Sequence, residues 1–582
     1  MLVKMWWVVF AGVLTFVAVS PWIMPLGYDA YIHIFFSDHY RRSWFSLWDP
    51  RWYGGFSLSS YPPLVHQVQA LISLLVGHEN SYRLVISSGL LLLGGASYIF
   101  LRSFGASPTA SAIWSAAWLI GPQMMLTAHL FAHVTTIFGS AFAILAAVHS
   151  NRYTTSGSPI LLAKSIAFST ASALAHHLSA IFFLPTVLLA LTLHTWLIKK
   201  NVRSTIRFTS ALLLPLTFAA LALSPFLLFL LSSQEQTEIL HWSRYPFDPE
   251  YSTVSVPFHL TSFLLLATSV FSVLCARQLV LTPFISAFFL LLGLGASTPI
   301  PYIVFGNWWR WLTYERFVLW SSLLSLPAIT LYLNPSPKKT RRRQLAALVM
   351  LGILAVGGLY AVYLVYFGQT GPGYTSYSTP VNHKVESISD IAAFLNSKCP
   401  NGCGYLTLGL GIKAAMIGVK TESYTPDGFY PTARREPSLR ASGAESIDSA
   451  YYWVRDRQSL TKMVEWAVSR GVKYIFVSPS YPGPSPAING MELVDVLSSG
   501  VIVYESNSSV SIRPSWQEGP SNIQELFWGV SPAVTLISLL GFYMLELKTG
   551  KAYCEDSIKP NEGCKDDFKL STENAGPNHR RS

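Results

Sequence analysis

Long apolar stretches alternate with short polar connections along most of the chain. Apolar runs cover residues 4–25, 62–77, 84–100, 109–127, 131–149, 160–176, 179–198, 209–231, 259–275, 279–296, 314–333, 344–367 and 525–546. Most are long enough to cross a hydrocarbon core of roughly 30 Å. Backbone polar groups in lipid must be satisfied within the segment, so these runs predict helices. Residues 368–523 break the pattern. They mix Gly, Pro, Ser and charges with short strand-like runs, Lys473–Val477 and Val501–Glu505, and with an amphipathic helical pattern over Leu460–Ser469. That alternation predicts a small α/β domain between the last two spans. The polar segment after Leu547 predicts a disordered tail.

The expected organisation is a multi-span region over 1–367 with a first outer loop over 27–83. A domain over 368–523, a final membrane helix over 524–547 and a tail over 548–582 follow. The fold class is an all-α polytopic membrane bundle of about 12 or 13 transmembrane helices with a small extracytoplasmic α/β domain. The first run, Met5–Met24, is long for the apolar core of a signal peptide, so it reads as a retained helix.

Charge sets the orientation. The chain is 51% hydrophobic and 12% charged, against about 25% charged in soluble domains. Its net charge of +11 gathers in short loops, as at Lys199–Arg203 and Lys338–Arg343. Such clusters mark cytoplasmic loops, which removes the case for nucleic acid as a partner. Counting from Lys338–Arg343 places 368–523 outside and the tail inside. Counting from Lys4 gives the same answer when 62–77 does not cross. That run holds His66, Gln67 and Gln69 and reads as a juxtamembrane or re-entrant helix. An integral protein of the plasma membrane with both termini cytoplasmic is the expectation. Of the five cysteines, Cys399 and Cys403 are spaced for a small disulfide loop if their domain is extracytoplasmic.

Candidate chemistry collects on the outer side. The first outer loop carries Asp29, His33 and Asp38, then Trp48–Gly55, then Tyr61-Pro62-Pro63-Leu64. Asp29 and His33 are four apart and share one helix face, where a carboxylate can orient an imidazole. His129, His133, His176 and His177 all map to outer helix ends, and ionisable residues at membrane depth are costly enough to signal function. Glu235, His241 and Arg244 lie in another outer loop and join these histidines as candidate substrate contacts. Arg310 and Arg316 stand where a lipid phosphate would lie, and a guanidinium matches phosphate geometry. Gly409-Leu410-Gly411 opens like a dinucleotide loop but lacks the third glycine and the following acid. Asn507-Ser508-Ser509 forms a glycosylation sequon.

One span, then an outer loop opening on Asp29–His33 and closing on Tyr61–Leu64, resembles the GT-C superfamily of membrane glycosyltransferases. His176-His177-Leu178 and Tyr314-Glu315-Arg316-Phe317 are similar to the branch labelled 6-pyruvoyl-tetrahydropterin synthase related membrane proteins. The resemblance covers roughly residues 1–335. It implies a polyprenyl-phosphate-linked sugar donor, transfer on the outer face, and a glycan, lipid or protein acceptor. It also implies a first-loop acid acting as base or as ligand to a divalent cation, magnesium or manganese; that acid is Asp29. The sequence places no second acid beside it to complete a metal site. The Trp-Trp-Asp-Tyr-Gly signature of oligosaccharyltransferases is absent, which argues against sequon-directed protein glycosylation. The rival readings are a transporter or flippase for a lipid-linked or small solute, and a scaffold that has kept the fold without catalysis.

Overall fold

The structure is a computed structural model, and it describes residues 2–199, 201–232, 242–247, 252–276, 281–333, 341–366, 385–430, 446–448, 457–481, 490–506 and 521–549. The chain is an integral, multi-pass membrane protein. Among the described residues, eight helices are long and apolar enough to cross a bilayer: Trp6–Ile23, His78–Ser103, Val134–Ser156, Ser179–Leu197, Val202–Ala222, Ser252–Cys275, Arg341–Tyr366 and Asn522–Glu546. Leu64–Val76, Pro159–Ala175 and Thr282–Gly293 are apolar but shorter. Among the described residues, the apolar runs of the sequence fall on helices, though several are divided. The run 109–127 breaks at Gly121, with Pro122 opening the next turn, as expected of a residue that lacks an N–H and disrupts the preceding turn. The helix Leu64–Val76 has 13 residues and so spans about 20 Å. It buries His66, Gln67 and Gln69 and exposes Leu71, Leu74 and Leu75.

The loop after the first span is ordered. A helix over Tyr28–Arg42 is buried from Ala30 to Tyr40. A two-stranded antiparallel ribbon follows, β1 (Trp48–Asp49) paired with β2 (Phe56–Ser57). Trp52 at its turn is wholly buried and stacks on Phe35 at 3.7 Å between ring centroids, a contact type worth about 0.5–1.5 kcal/mol beyond area burial.

The small domain carries β3 (Gly404–Leu408), β4 (Val472–Val477), β5 (Met491–Val496) and β6 (Ile502–Ser506) in the order β3-β4-β6-β5. β3 and β4 are parallel and the other pairs antiparallel. β3 and β4 are apolar on both faces, as a covered parallel pair should be. Leu406, Leu408, Ile475 and Val477 pack with Met463 and Val464 of the helix Arg457–Ser469. Tyr405, Tyr474 and Phe476 belong to the same continuous core as Phe35, Phe36 and Trp52 of the first loop. The outer edge strand β5 is exposed and charged at Glu492 and Asp495, which discourages further strand pairing. Cys399 and Cys403 are disulfide-bonded.

The final helix, Asn522–Thr549, is held at both ends. Trp44 Nε1 donates to Gly529 O at 3.0 Å, and Gln67 Nε2 donates to Trp528 O at 3.2 Å. Leu47 N donates to Glu525 Oε1 at 3.0 Å. Toward its other end Glu546 ion-pairs with the buried Lys164, whose ammonium also sits 4.4 Å over the Tyr543 ring.

Candidate functional site

Two interrupted helices build the site. The first break follows the π-turn Leu126–Leu130 and ends where the helix Val134–Ser156 begins at His133. Ala132 adopts φ of 60° there, a left-handed conformation that costs a non-glycine residue about 1–3 kcal/mol. The break frees carbonyls. Phe131 O accepts from Asp29 N at 3.3 Å, and Ala132 O accepts from the Tyr82 hydroxyl at 3.2 Å. Gly27 makes the approach possible, since a Cβ there would lie 2.5 Å from Leu130 O and closer still to His129 O. The start of the first-loop helix is thereby seated on the break. The second interruption is at His176, extended at the end of the helix Pro159–Ala175 and followed by a π-turn over Ser179–Phe183. Irregular backbone of this kind persists at membrane depth only where protein or a cavity satisfies it.

Asp29, His133, Glu315 and Arg316 meet between these breaks. His133 Nε2 lies 3.4 Å from Asp29 Oδ2, 3.8 Å from Glu315 Oε1 and 3.4 Å from Nη2 of Arg316. Arg316 Nη1 donates to Glu315 Oε1 at 2.7 Å and also bonds Thr313 Oγ1. Its Nε donates to Thr136 Oγ1 at 3.2 Å. Ser179 N donates to His176 Nδ1 at 3.2 Å, which leaves the other ring nitrogen to donate to Thr136 Oγ1 at 3.4 Å. Exposure separates the two acids. The Asp29 side chain is 26% accessible and that of Glu315 only 1%, so Asp29 is the one a ligand can reach. Arg316 occupies the first turn of the helix Glu315–Tyr332, whose N-terminal dipole adds to its attraction for an anion.

Tyr61 forms the adjoining wall. Its ring lies 5.9 Å from His33, 5.3 Å from His66 and 5.4 Å from His177, and its hydroxyl is 2.8 Å from Thr135 Oγ1. Burial pushes this hydroxyl up, to about 12, against the lowering effect of Arg316 and Thr135. His66 Nδ1 donates to Pro62 O at 3.3 Å, so its Nε2 accepts from His33 Nδ1 at 2.9 Å. Burial, followed by the nearby His66, His133 and Arg316, holds His33 well below the usual imidazole range. His33 Nε2 is buried without a hydrogen-bond partner among the described residues.

The expected Asp29–His33 partnership takes a different form. His33 bonds His66, while His133 faces Asp29. Of the four helix-end histidines, His133, His176 and His177 converge on this centre. His129 turns away and lies 3.0 Å from Ser20 Oγ. Asp38 belongs to a second cluster at the far end of its helix. It accepts from Arg42 Nε at 2.7 Å and from Arg51 Nη1 at 2.5 Å. Arg51 also donates to Asp49 at 2.6 Å and to Gly418 O of the small domain at 3.0 Å, while His39 Nδ1 lies 2.9 Å from Asp49. Burial alone would raise the Asp49 carboxyl, but Arg51 and the bond from His39 outweigh it and hold it below the usual carboxylate range.

Arg244 is buried and donates from Nε to Leu312 O at 3.0 Å, while Ser243 Oγ accepts from Tyr314 N at 2.8 Å. Both brace the turn that presents Arg316. Arg310 is exposed on the 3-10 turn Gly306–Trp311, with its guanidinium 6.0 Å from the Trp309 ring. Glu235 and His241 lie outside the described residues. Glu315, Tyr61 and His66 were not among the expected site residues. A lone acid opening an apolar run, and a histidine with two glutamines inside another, were the signals for Glu315 and His66.

Among the described residues, no group of three or more His, Cys, Asp or Glu side chains is placed to hold a metal ion. Asp29 and Glu315 both face the His133 imidazole, and Glu315 also pairs with Arg316. The glycine loop after β3 is also occupied from within: Leu410 N and Gly411 N donate to the Asp448 carboxylate at 3.1 and 2.5 Å. An internal acid fills the place a phosphate would take.

Neither a protein-family model nor a curated protein sequence matches the chain. Solved structures do. Arabinofuranosyltransferase AftD from Mycobacteria superposes with a TM-score of 0.50 at 14% identity, over 87% of this chain and 40% of that one. The present chain thus corresponds to about two-fifths of AftD. ArnT from Cupriavidus metallidurans in the apo state superposes with a TM-score of 0.50 at 15% identity, over 87% of this chain and 98% of that one. With these likenesses, the polytopic helical bundle and its small α/β domain are a fold of the GT-C type.

Proposed function

We propose that the chain is a glycosyltransferase that moves a sugar from a polyprenyl-phosphate-linked donor to an acceptor hydroxyl. The observation that carries this reading is that Asp29 and Arg316 both lie within 3.4 Å of His133 Nε2. A solvent-accessible carboxylate and a helix-terminal guanidinium thereby face one small volume. Asp29 takes the proton of the acceptor hydroxyl as its oxygen attacks the anomeric carbon. The bond from that carbon to the donor phosphate oxygen breaks. Polyprenyl phosphate leaves, with Arg316 neutralising its charge. His133 holds Asp29 in position, and Glu315 holds Arg316. His176 and His177 line the sugar side with Tyr61, while Arg310 meets the lipid headgroup at the membrane surface. Arg244 acts through the turn that it braces, and Asp38 through the ion cluster that anchors the small domain. Glu235 and His241 keep their expectation as substrate contacts.

The same reading places the first loop and residues 368–523 outside the cell and both termini in the cytoplasm. The Cys399–Cys403 disulfide supports that orientation, since such bonds persist in oxidising compartments. The sequence matches at His176-His177-Leu178 and Tyr314–Phe317 favour the 6-pyruvoyl-tetrahydropterin synthase related branch. A second reading, passage of a lipid-linked solute, draws on the facing interrupted helices, a feature of transporter binding sites. Incubating purified protein with a panel of synthetic polyprenyl-phosphate sugars separates the two. Sugar transfer or donor hydrolysis supports the enzyme. Movement of donor across a vesicle membrane without bond cleavage supports the transporter. An EDTA arm reports whether magnesium or manganese contributes.

A further inference from the structure

A cavity of about 530 Å³ lies between the end of the Tyr28–Arg42 helix, the start of the His78–Ser103 helix and the small domain at residues 416–422, and Asp29 is not in its lining. Its size falls within the range of roughly 300–1,000 Å³ for small-molecule clefts. Part of its charge is spent internally. Arg42 bonds Asp38 Oδ2 and the Glu422 carboxylate, and its Nη2 donates to Val419 O at 2.9 Å. Asp38 is further neutralised by Arg51. What remains in the lining is two cations and one acid: Arg41, Lys420 and Glu79. Among the described residues Arg41 donates once, to Nε2 of His78 at 2.8 Å, which leaves most of its planar donor fork open. The Lys420 ammonium makes no hydrogen bond or ion pair among them. An exposed fork beside an ammonium suits a carboxylate or phosphate group.

Position gives this cleft a role. Asp38 and Arg42 lie nine and thirteen residues after Asp29 on one helix, which is about 14–20 Å along its axis. A ligand bridging the two must be longer than one sugar ring. One wall belongs to the small domain, so the cleft exists only while that domain is docked on the first loop.

We infer that this cleft is a subsite for an anionic saccharide acceptor, holding its carboxylate or phosphate on Arg41 and Lys420 while a distant hydroxyl reaches Asp29. The inference rests on the transferase reading given above. Its test is direct binding to the full-length protein in lipid nanodiscs, using trigalacturonate, singly phosphorylated maltotriose and neutral maltotriose. At least one anionic probe should bind tenfold or more tightly than maltotriose, and the stronger of the two identifies the acceptor charge. The R41A/K420A double variant should lose that preference. D29N should keep it, because binding in the cleft does not use the base. Equal binding of all three saccharides, no binding of either anion, or an unchanged preference in R41A/K420A would each overturn the inference. Anion binding intact in a protein whose D29N variant still transfers sugar would leave the cleft standing and remove the proposed base.

Discussion

Asp29 and Arg316 approach the same atom, Nε2 of His133, to 3.4 Å each. One comes from the loop after the first span and the other from the first turn of the Glu315–Tyr332 helix. A carboxylate and a guanidinium are brought to one imidazole by two chain segments far apart in sequence. Substituting Arg316 should therefore affect the departing phosphate more than donor capture. Arg316→Ala is expected to lower kcat by about 10²–10³, the loss typical when one stabilising donor is removed. Arg316→Lys keeps the charge but not the fork, and should recover part of that loss. Steady-state kinetics on the active donor checks both. A rise in KM with kcat unchanged would contradict the assignment.

Gly27 sets how closely the first loop sits on the helix break. A Cβ at this position would collide with the carbonyl oxygens of His129 and Leu130, so Gly27→Ala must push the two segments apart. Transfer should fall at least tenfold, with a lower Tm. Ala132→Gly removes the left-handed penalty of about 1 kcal/mol or more and should raise Tm slightly. Thermal melts of the two variants in detergent test this directly.

The small domain is fastened by Arg51, which is 5% exposed. Arg51→Ala removes an ionic partner from both Asp49 and Asp38, leaving His39 on the first and Arg42 on the second, and should cost up to about 3–5 kcal/mol. Limited proteolysis should then release fragments between the first loop and residues 404–430. A proteolysis pattern identical to wild type would show that the domain is held elsewhere.

Asp49 also gives this junction a pH dependence. Its carboxyl sits below the usual range in the folded protein, so the unfolded chain binds the proton first as pH falls below about 4. The stability that Asp49 contributes is complete above that value and declines with further acidification. Wild-type Tm should drop more steeply below about pH 4.5 than that of Asp49→Asn, which starts lower at neutral pH.

The buried Lys164 and the partly exposed Glu546 form an ion pair that ties the last helix to the Pro159–Ala175 helix. Lys164→Met should destabilise more than Lys164→Met combined with Glu546→Gln, because the single change takes the cation away from a carboxylate that still carries its charge. A double-mutant cycle on Tm measures the difference.

The helical runs were legible because lipid forces apolar continuity, and the strands over 472–477 and 502–506 because β-rich runs stood between turn residues. His133, His176, His177 and Arg316 were legible as costly polar groups at helix ends. The partner that His33 takes was not legible for a physical reason. Spacing of four puts two residues on one face, yet the helix is covered on nearly all sides, so His33 found His66 from another element. The ion pairs of Asp38 with Arg42 and Arg51 were not legible together, because Arg51 is brought to Asp38 only by tertiary folding. The helix breaks at 126–133 and 176–183 fall where the apolar runs 109–127 and 131–149, and 160–176 and 179–198, part company, but no proline marks either bend, so the π-turns beside them were not legible.

The most direct test compares purified wild type with Asp29→Asn on a polyprenyl-phosphate sugar donor that wild type turns over. Asn keeps the size of the side chain and removes its basicity. With Asp29 as the base, kcat should fall by about 10²–10⁴ while donor binding and Tm stay close to wild type. Full activity in the folded variant would contradict it and remove Asp29 as the base.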